Sequence, residues 1–168
     1  MGDSGKPASQ ERGAPVACDA RTFFTYPTAF GPVTIGADGT SVTAIVLGEA
    51  ALPGERRPSA VSNRCATEIM EYLSGKRTAF TVPWAAAGTP FQKEAWEAVA
   101  RIPYGQVRTT RELAGALGAP ESFRTVGAAV RKSPLALIIP THRIVTAAGK
   151  PVSPVATALL NLERQNAR

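Results

Sequence analysis

The chain has 168 residues, of which 44% are apolar and 19% charged. That is enough to bury one core and excludes a compositionally disordered chain. No apolar run reaches the about 18–20 residues that cross a bilayer, and the opening MGDSGKPASQERGAPVA has no apolar stretch of the secretory kind. A cytoplasmic location with a disordered arm over residues 1–20 is therefore expected. Two cysteines, Cys18 and Cys65, and one histidine, His142, exclude a disulfide-stapled scaffold and a His/Cys zinc site, so no metal or cofactor is expected.

The net charge of +6 is segregated. Residues 1–89 carry eight basic and eight acidic side chains, whereas residues 90–168 carry eleven and five. A positive field confined to one half favours a polyanion through steering and counterion release. The alternative is that the charge serves solubility alone.

In chain order, Phe23–Leu47 alternates like strands, and Asp38-Gly39 between Val33–Ile35 and Val42–Ile45 marks a hairpin. Leu52–Pro58 reads as loop. Ser59 or Ser62 caps a helix that runs to Leu73, with Val61, Cys65, Ile69 and Leu73 four residues apart, and Gly75 ends it. Cys65 on that face reads as a core residue rather than a reactive thiol. Val82–Pro90 breaks the periodicity and separates an N-terminal α+β domain, 21–82, from a C-terminal domain, 83–168.

Thr89 then caps a helix with Pro90 at its first position, running through FQKEAWEAVARI to a stop at Pro103-Tyr104-Gly105. Thr109–Gly118 is a short capped helix, Gly118-Ala119-Pro120 a turn, and Ser122–Lys132 a second helix. That spacing is a helix-turn-helix, and Arg124, Arg131 and Lys132 make the second helix basic. Leu135–Ile139 reads as a short apolar strand or extended run, delivering the only imidazole within Pro140-Thr141-His142-Arg143-Ile144-Val145.

Phe91-Gln92, Trp96, Ile102–Gly105, Glu112–Ala114, Gly118–Pro120, Arg124–Gly127 and Ile138–Val145 resemble, in order and spacing, the C-terminal domain of the O6-alkylguanine-DNA alkyltransferases. The Phe30–Ile35 hairpin is similar to that family's first domain, so the resemblance covers about residues 22–168. It implies an α+β chain: a small N-terminal sheet-and-helix domain, then a mostly helical winged helix-turn-helix DNA-binding domain.

In that family a Pro-Cys-His-Arg-Val motif supplies a cysteine that accepts the alkyl group of a flipped guanine. The histidine relays a proton through water, and a glutamate orients the histidine. By resemblance the cysteine position is Thr141, the histidine His142 and the glutamate Glu163. Arg124 matches the arginine that fills the gap left by the flipped base. Thr110 stands where the family has a tyrosine, and Ser133 where it has an asparagine. Arg131 and Lys132 would touch DNA, while Pro140 and Arg143 would be structural neighbours of the site. Gly149–Pro154 departs from the family's Gly-rich segment.

A hydroxyl is far less acidic than a thiol, whose pKa is about 8.5, so it makes a poor nucleophile toward an sp³ carbon. The resemblance then implies a DNA-binding, alkyltransferase-like monomer that recognises O6-alkylguanine by base flipping without accepting the alkyl group. Such a protein would pass the lesion to excision-repair proteins. Three alternatives stay open: an enzyme repurposed for a small-molecule substrate, a helix-turn-helix binder without lesion preference, and residual transfer to Thr141.

Overall fold

The structure is a computed structural model that describes residues 21–167; the arm expected over residues 1–20 lies outside them. Strands β1 (Thr22–Tyr26), β2 (Val33–Ala37) and β3 (Val42–Leu47) form an antiparallel meander. The short β4 (Glu55–Arg56) adds parallel to β1, giving the order β3-β2-β1-β4. The predicted turn sits between β2 and β3. Asp38 Oδ1 accepts from the amides of Thr40 and Ser41, and Gly39 takes φ +100°, a conformation glycine adopts without a Cβ penalty.

Helix α1 (Ala60–Leu73) covers one face of this sheet. Both candidate caps act: Ser59 is the N-cap and Ser62 closes the capping box three residues on, satisfying two otherwise orphaned amides. Cys65, Ile69 and Leu73 are buried and Val61 is half-buried. Burial and the neighbouring Glu68 charge push the Cys65 thiol up to about 12, which keeps it protonated and inert.

Helix α2 (Pro90–Ala100) begins on a Thr89–Gln92 capping box with Pro90 in its first turn. Its buried Trp96 donates from Nε1 to the Ala129 carbonyl at 2.8 Å, tying it to the helix pair. That pair is α3 (Thr110–Ala116), capped by Thr109, and α4 (Phe123–Arg131). A 3₁₀ turn over Pro120–Ser122 joins them. It absorbs Ser122, the expected start of the second helix, which makes no side-chain cap. Strands β5 (Arg108–Thr109) and β6 (Ile144–Val145) pair in parallel, and α5 (Pro154–Asn166) closes the described chain.

Leu135–Ile139 differs from the expected strand. Ile138 N donates to Ala136 O at 2.8 Å across Leu137, whose φ is +73°. Three residues on, Thr141 N donates to Ile139 O at 2.7 Å across Pro140, at φ −78° and ψ 69°. Both are three-residue γ-turns, and the positive-φ form is the rare, strained one. The segment pairs with β3 only at its start, around Leu135: Ile45 N donates to Pro134 O, and Ala136 N to Ile45 O. Apolar composition marks this segment as buried, but a run of five cannot distinguish a strand from a buried turn.

Along the same free edge, β3 also exchanges backbone bonds at Val42 with Pro83 and Ala85. The meander's edge is thereby sealed by segments from the second half of the chain. One buried cluster runs from Ile35 and Ile45 through Trp96 and Val99 to Leu135 and Ile139, continuous across residues 82–83.

Candidate functional site

Glu163, on α5, is fully buried and ionised despite it. Burial alone would raise its carboxyl. Hydrogen bonds from His142, Arg143 and Tyr72 outweigh that and hold it down at about 2. Oε2 accepts from His142 Nε2 at 2.6 Å, from Arg143 Nη2 at 2.9 Å and from the Tyr72 hydroxyl. Oε1 accepts from Arg143 Nε at 2.9 Å and from the Gly105 amide at 3.1 Å. A buried charge is tolerated only when it is paired and its lone pairs are filled, and here every one is.

The geometry also assigns the imidazole's proton. An ionised carboxylate only accepts, so the ring nitrogen facing it, Nε2, carries hydrogen. Nδ1, the nitrogen turned away from the carboxylate, has no hydrogen-bond partner among the described residues. Arg143 donates its remaining Nη1 to the Ile102 carbonyl at 2.7 Å. It thus braces the end of α2 against α5 behind the histidine.

In front of His142 lies a pocket of about 340 Å³, at the small end of the roughly 300–1,000 Å³ typical of ligand sites. Thr110, Gly127, Arg131, Ser133, Thr141 and His142 give its polar or close-approach wall. Val130, Ile144, Ala156 and Leu159 give its apolar one. Gly127 matters because a Cβ there would meet Thr110 Cγ2 at 3.4 Å and Arg131 Nη1 at 3.5 Å, narrowing that wall. The inverse γ-turn at Pro140 sets Thr141 at the start of a 3₁₀ turn, Thr141–Arg143. The Thr141 hydroxyl makes no hydrogen bond to His142 among the described residues.

The structure therefore gathers Thr110, Arg131, Ser133, Thr141 and His142 around one pocket, with Glu163 and Arg143 immediately behind; Pro140 is buried and does not line it. Arg124 and Lys132 do not line it. They stand exposed on α4 and just past its end, with the Arg124 guanidinium 5.6 Å from the Phe123 ring centroid. Arg111 lies 3.9 Å over the same ring from α3, adding a cation beside Arg124 that the sequence reading did not single out.

Sequence reasoning also missed Tyr72, whose hydroxyl reaches Glu163 from the N-terminal half. The signal was present in its spacing. Tyr72 lies seven residues after Cys65 and three after Ile69, on the buried face of α1, and a buried phenol needs a partner.

A sheet-and-helix half joined to a basic helix pair, with a His–Glu couple behind a base-sized pocket, is the layout of the DNA alkyltransferases. The comparisons agree with it. Residues 90–167 match the family model described as 6-O-methylguanine DNA methyltransferase, DNA binding domain. A Methanosarcina barkeri methylated-DNA–protein-cysteine methyltransferase is 40% identical over 61% of this chain and 68% of its own length. The constitutive Bacillus subtilis enzyme of that name is 36% identical over 58% and 62%. The solved Mycobacterium tuberculosis O6-methylguanine methyltransferase superposes with a TM-score of 0.80 at 32% identity, over 88% of this chain and 95% of that one. The Mycobacterium tuberculosis OGT in complex with DNA gives 0.80 at 31%, over 86% and 94%. This chain belongs to the methylated-DNA–protein-cysteine methyltransferase family.

Proposed function

We propose that the protein binds duplex DNA, takes O6-alkylguanine out of the stack into the Thr141 pocket, and holds it without accepting the alkyl group. The observation that carries this reading is the state of the site around Thr141. The pocket is open, and the His142–Glu163 couple behind it is intact at 2.6 Å. The residue at its mouth is nevertheless a hydroxyl with no hydrogen bond to the imidazole.

Activating a nucleophile requires a base within about 2.6–3.2 Å or one water away, and the threonine hydroxyl is far less acidic than the thiol it replaces. Attack on an sp³ alkyl carbon also offers no oxyanion that backbone donors could stabilise. The site is thus suited to reading an adduct rather than removing it. Extrusion of a base costs a few kcal/mol, and in this reading Arg124 on α4, exposed and carrying no ion pair among the described residues, is the side chain that fills the gap. The basic excess of residues 90–168 supplies affinity for phosphate. A monomer that marks the lesion for excision-repair proteins in the cytoplasm completes the reading.

The test is a competition titration at fixed salt between a duplex with one O6-methylguanine and its unmodified twin. A preference of about tenfold or more, 1.4 kcal/mol, with no gain in protein mass supports the reading. Equal affinity sinks it, and stoichiometric methyl gain on Thr141 replaces it with transfer.

A further inference from the structure

Arg111 is the second residue of α3, and its guanidinium lies 3.9 Å over the Phe123 ring at the start of α4. That is contact distance for stacked groups. Arg111 is nevertheless exposed, as is Arg124, whose guanidinium is 5.6 Å from the same ring. Neither arginine has a carboxylate oxygen within 4.0 Å among the described residues. Glu112, next to Arg111 in the chain, is turned back to accept from the Thr109 amide in the α3 capping box. Two cations therefore share one ring with no anion to pair them.

Both border the mouth of the Thr141 pocket. Arg111 directly follows Thr110, which lines that pocket. Arg124 precedes Gly127, another lining residue, by three positions and so shares its face of α4. A strand that delivers a nucleotide here runs beside α3 as well as α4, and a duplex presents one negative charge about every 1.7 Å along its axis. Phe123 is half-buried and packed against the core cluster, so the ring beneath Arg111 is a fixed platform. A long side chain that binds DNA gives up rotamer freedom on binding. One already stacked on an aromatic face has given it up in the free protein.

We infer that Arg111 grips a phosphate of the bound duplex, and that Phe123 is the positioning residue that holds its guanidinium ready to do so. The DNA interface then extends from α4 onto α3, through a side chain whose own helix supplies it with no partner. The inference rests on the DNA-binding part of the reading above and is independent of lesion preference, so it is read on unmodified DNA.

The experiment titrates an unmodified duplex across a salt series with the full chain and its variants. Arg111→Ala should lower the slope of log affinity against log salt by about one and weaken binding about tenfold near 0.1 M salt, the effect of one phosphate contact. Phe123→Leu keeps both charges and an apolar side chain but removes the aromatic face. Its slope should match the wild type while its affinity falls about two- to tenfold, the ordering cost of one long side chain. Phe123→Tyr keeps the ring and should restore wild-type binding. Joining Arg111→Ala to Phe123→Leu should cost little beyond Arg111→Ala alone, because the ring acts through the arginine.

An unchanged salt slope in Arg111→Ala overturns the inference, and strictly additive losses in the double variant overturn the role of Phe123. Should Phe123→Leu fail to melt cooperatively, Arg111→Lys decides the second point, since it keeps the charge and loses the stack. Wild-type affinity in Arg111→Lys overturns the positioning role, and a lower affinity at an unchanged slope upholds it. A wild type that binds O6-methylguanine and unmodified duplexes alike sinks the lesion-binding reading, and the inference still stands or falls on these slopes.

Discussion

Tyr72 and His142 donate to the same oxygen, Oε2 of Glu163. One donor comes from α1 in the N-terminal half and the other from the 3₁₀ turn that carries Thr141. The carboxylate is therefore a joint between the two halves as well as the orienting partner of the imidazole. Tyr72→Phe keeps the ring packed on Phe80, 5.4 Å away between centroids, and deletes one donor to a buried charge. Hydrogen bonds to charged groups contribute about 1.5–3 kcal/mol, so urea denaturation should show a loss of that size. Wild-type stability in Tyr72→Phe would mean that the hydroxyl is not a partner of Glu163 in solution.

Glu163 also gives the fold a defined acid response. Its folded value, about 2, lies below the ordinary 4.5, so the unfolded chain binds the proton more readily. The resulting stabilisation is fully present above about pH 4.5 and is lost as pH falls through about 2. Its size at neutral pH is about 3 kcal/mol. Glu163→Gln should cost about 3–5 kcal/mol at pH 7, because Arg143 is left as an unpaired buried charge. Its stability should also fall less steeply than that of the wild type between pH 4.5 and 2. Parallel pH profiles would show that another carboxylate controls the acid limb.

How far the sequence reveals this molecule depends on the range of the interaction. Capping residues act within four positions, so Ser59, Thr89 and Thr109 are visible as helix starts, and Asp38-Gly39 as a turn. The pairing of His142 with Glu163 beside Thr141 is implied only by the family resemblance, because the 20 residues between His142 and Glu163 carry no local signal that they meet. Two features stayed hidden. The γ-turns at Leu137 and Pro140 are stabilised by enclosure rather than by any turn residue at position 137. Tyr72 reaches its partner across 91 positions, a distance over which periodicity says only that the residue is buried.

Arg124 and Arg131 should separate under mutation. Arg131 lines the pocket rim and ends α4, whereas Arg124 stands clear of the pocket on the exposed face. Arg131→Ala should weaken binding to all duplexes alike and lower the slope of log affinity against log salt by about one. Arg124→Ala should cut the ratio of lesion to unmodified affinity by more than it cuts affinity for unmodified DNA. An unchanged ratio would remove Arg124 from the flipping step and turn attention to Arg111, stacked 3.9 Å over Phe123.

Thr141→Cys asks whether the rest of the site can still do the family's chemistry. The couple behind it is in place, with His142 Nε2 2.6 Å from a carboxylate held ionised at about 2, and Nδ1 turned away from it without a partner among the described residues. A thiol ordinarily near 8.5 is within reach of activation by such a base, and a threonine hydroxyl is not. The variant should gain one methyl group per chain when incubated with an O6-methylguanine duplex, whereas the wild type should gain none. Adding Glu163→Gln to it should slow the transfer, by no more than the about 10²–10⁴-fold that general-base catalysis supplies as a whole. Complete inertness of Thr141→Cys, with lesion binding preserved, would place the block in the pocket rather than in the missing sulfur. The replaced wall residues Thr110 and Ser133 would then be the next to restore.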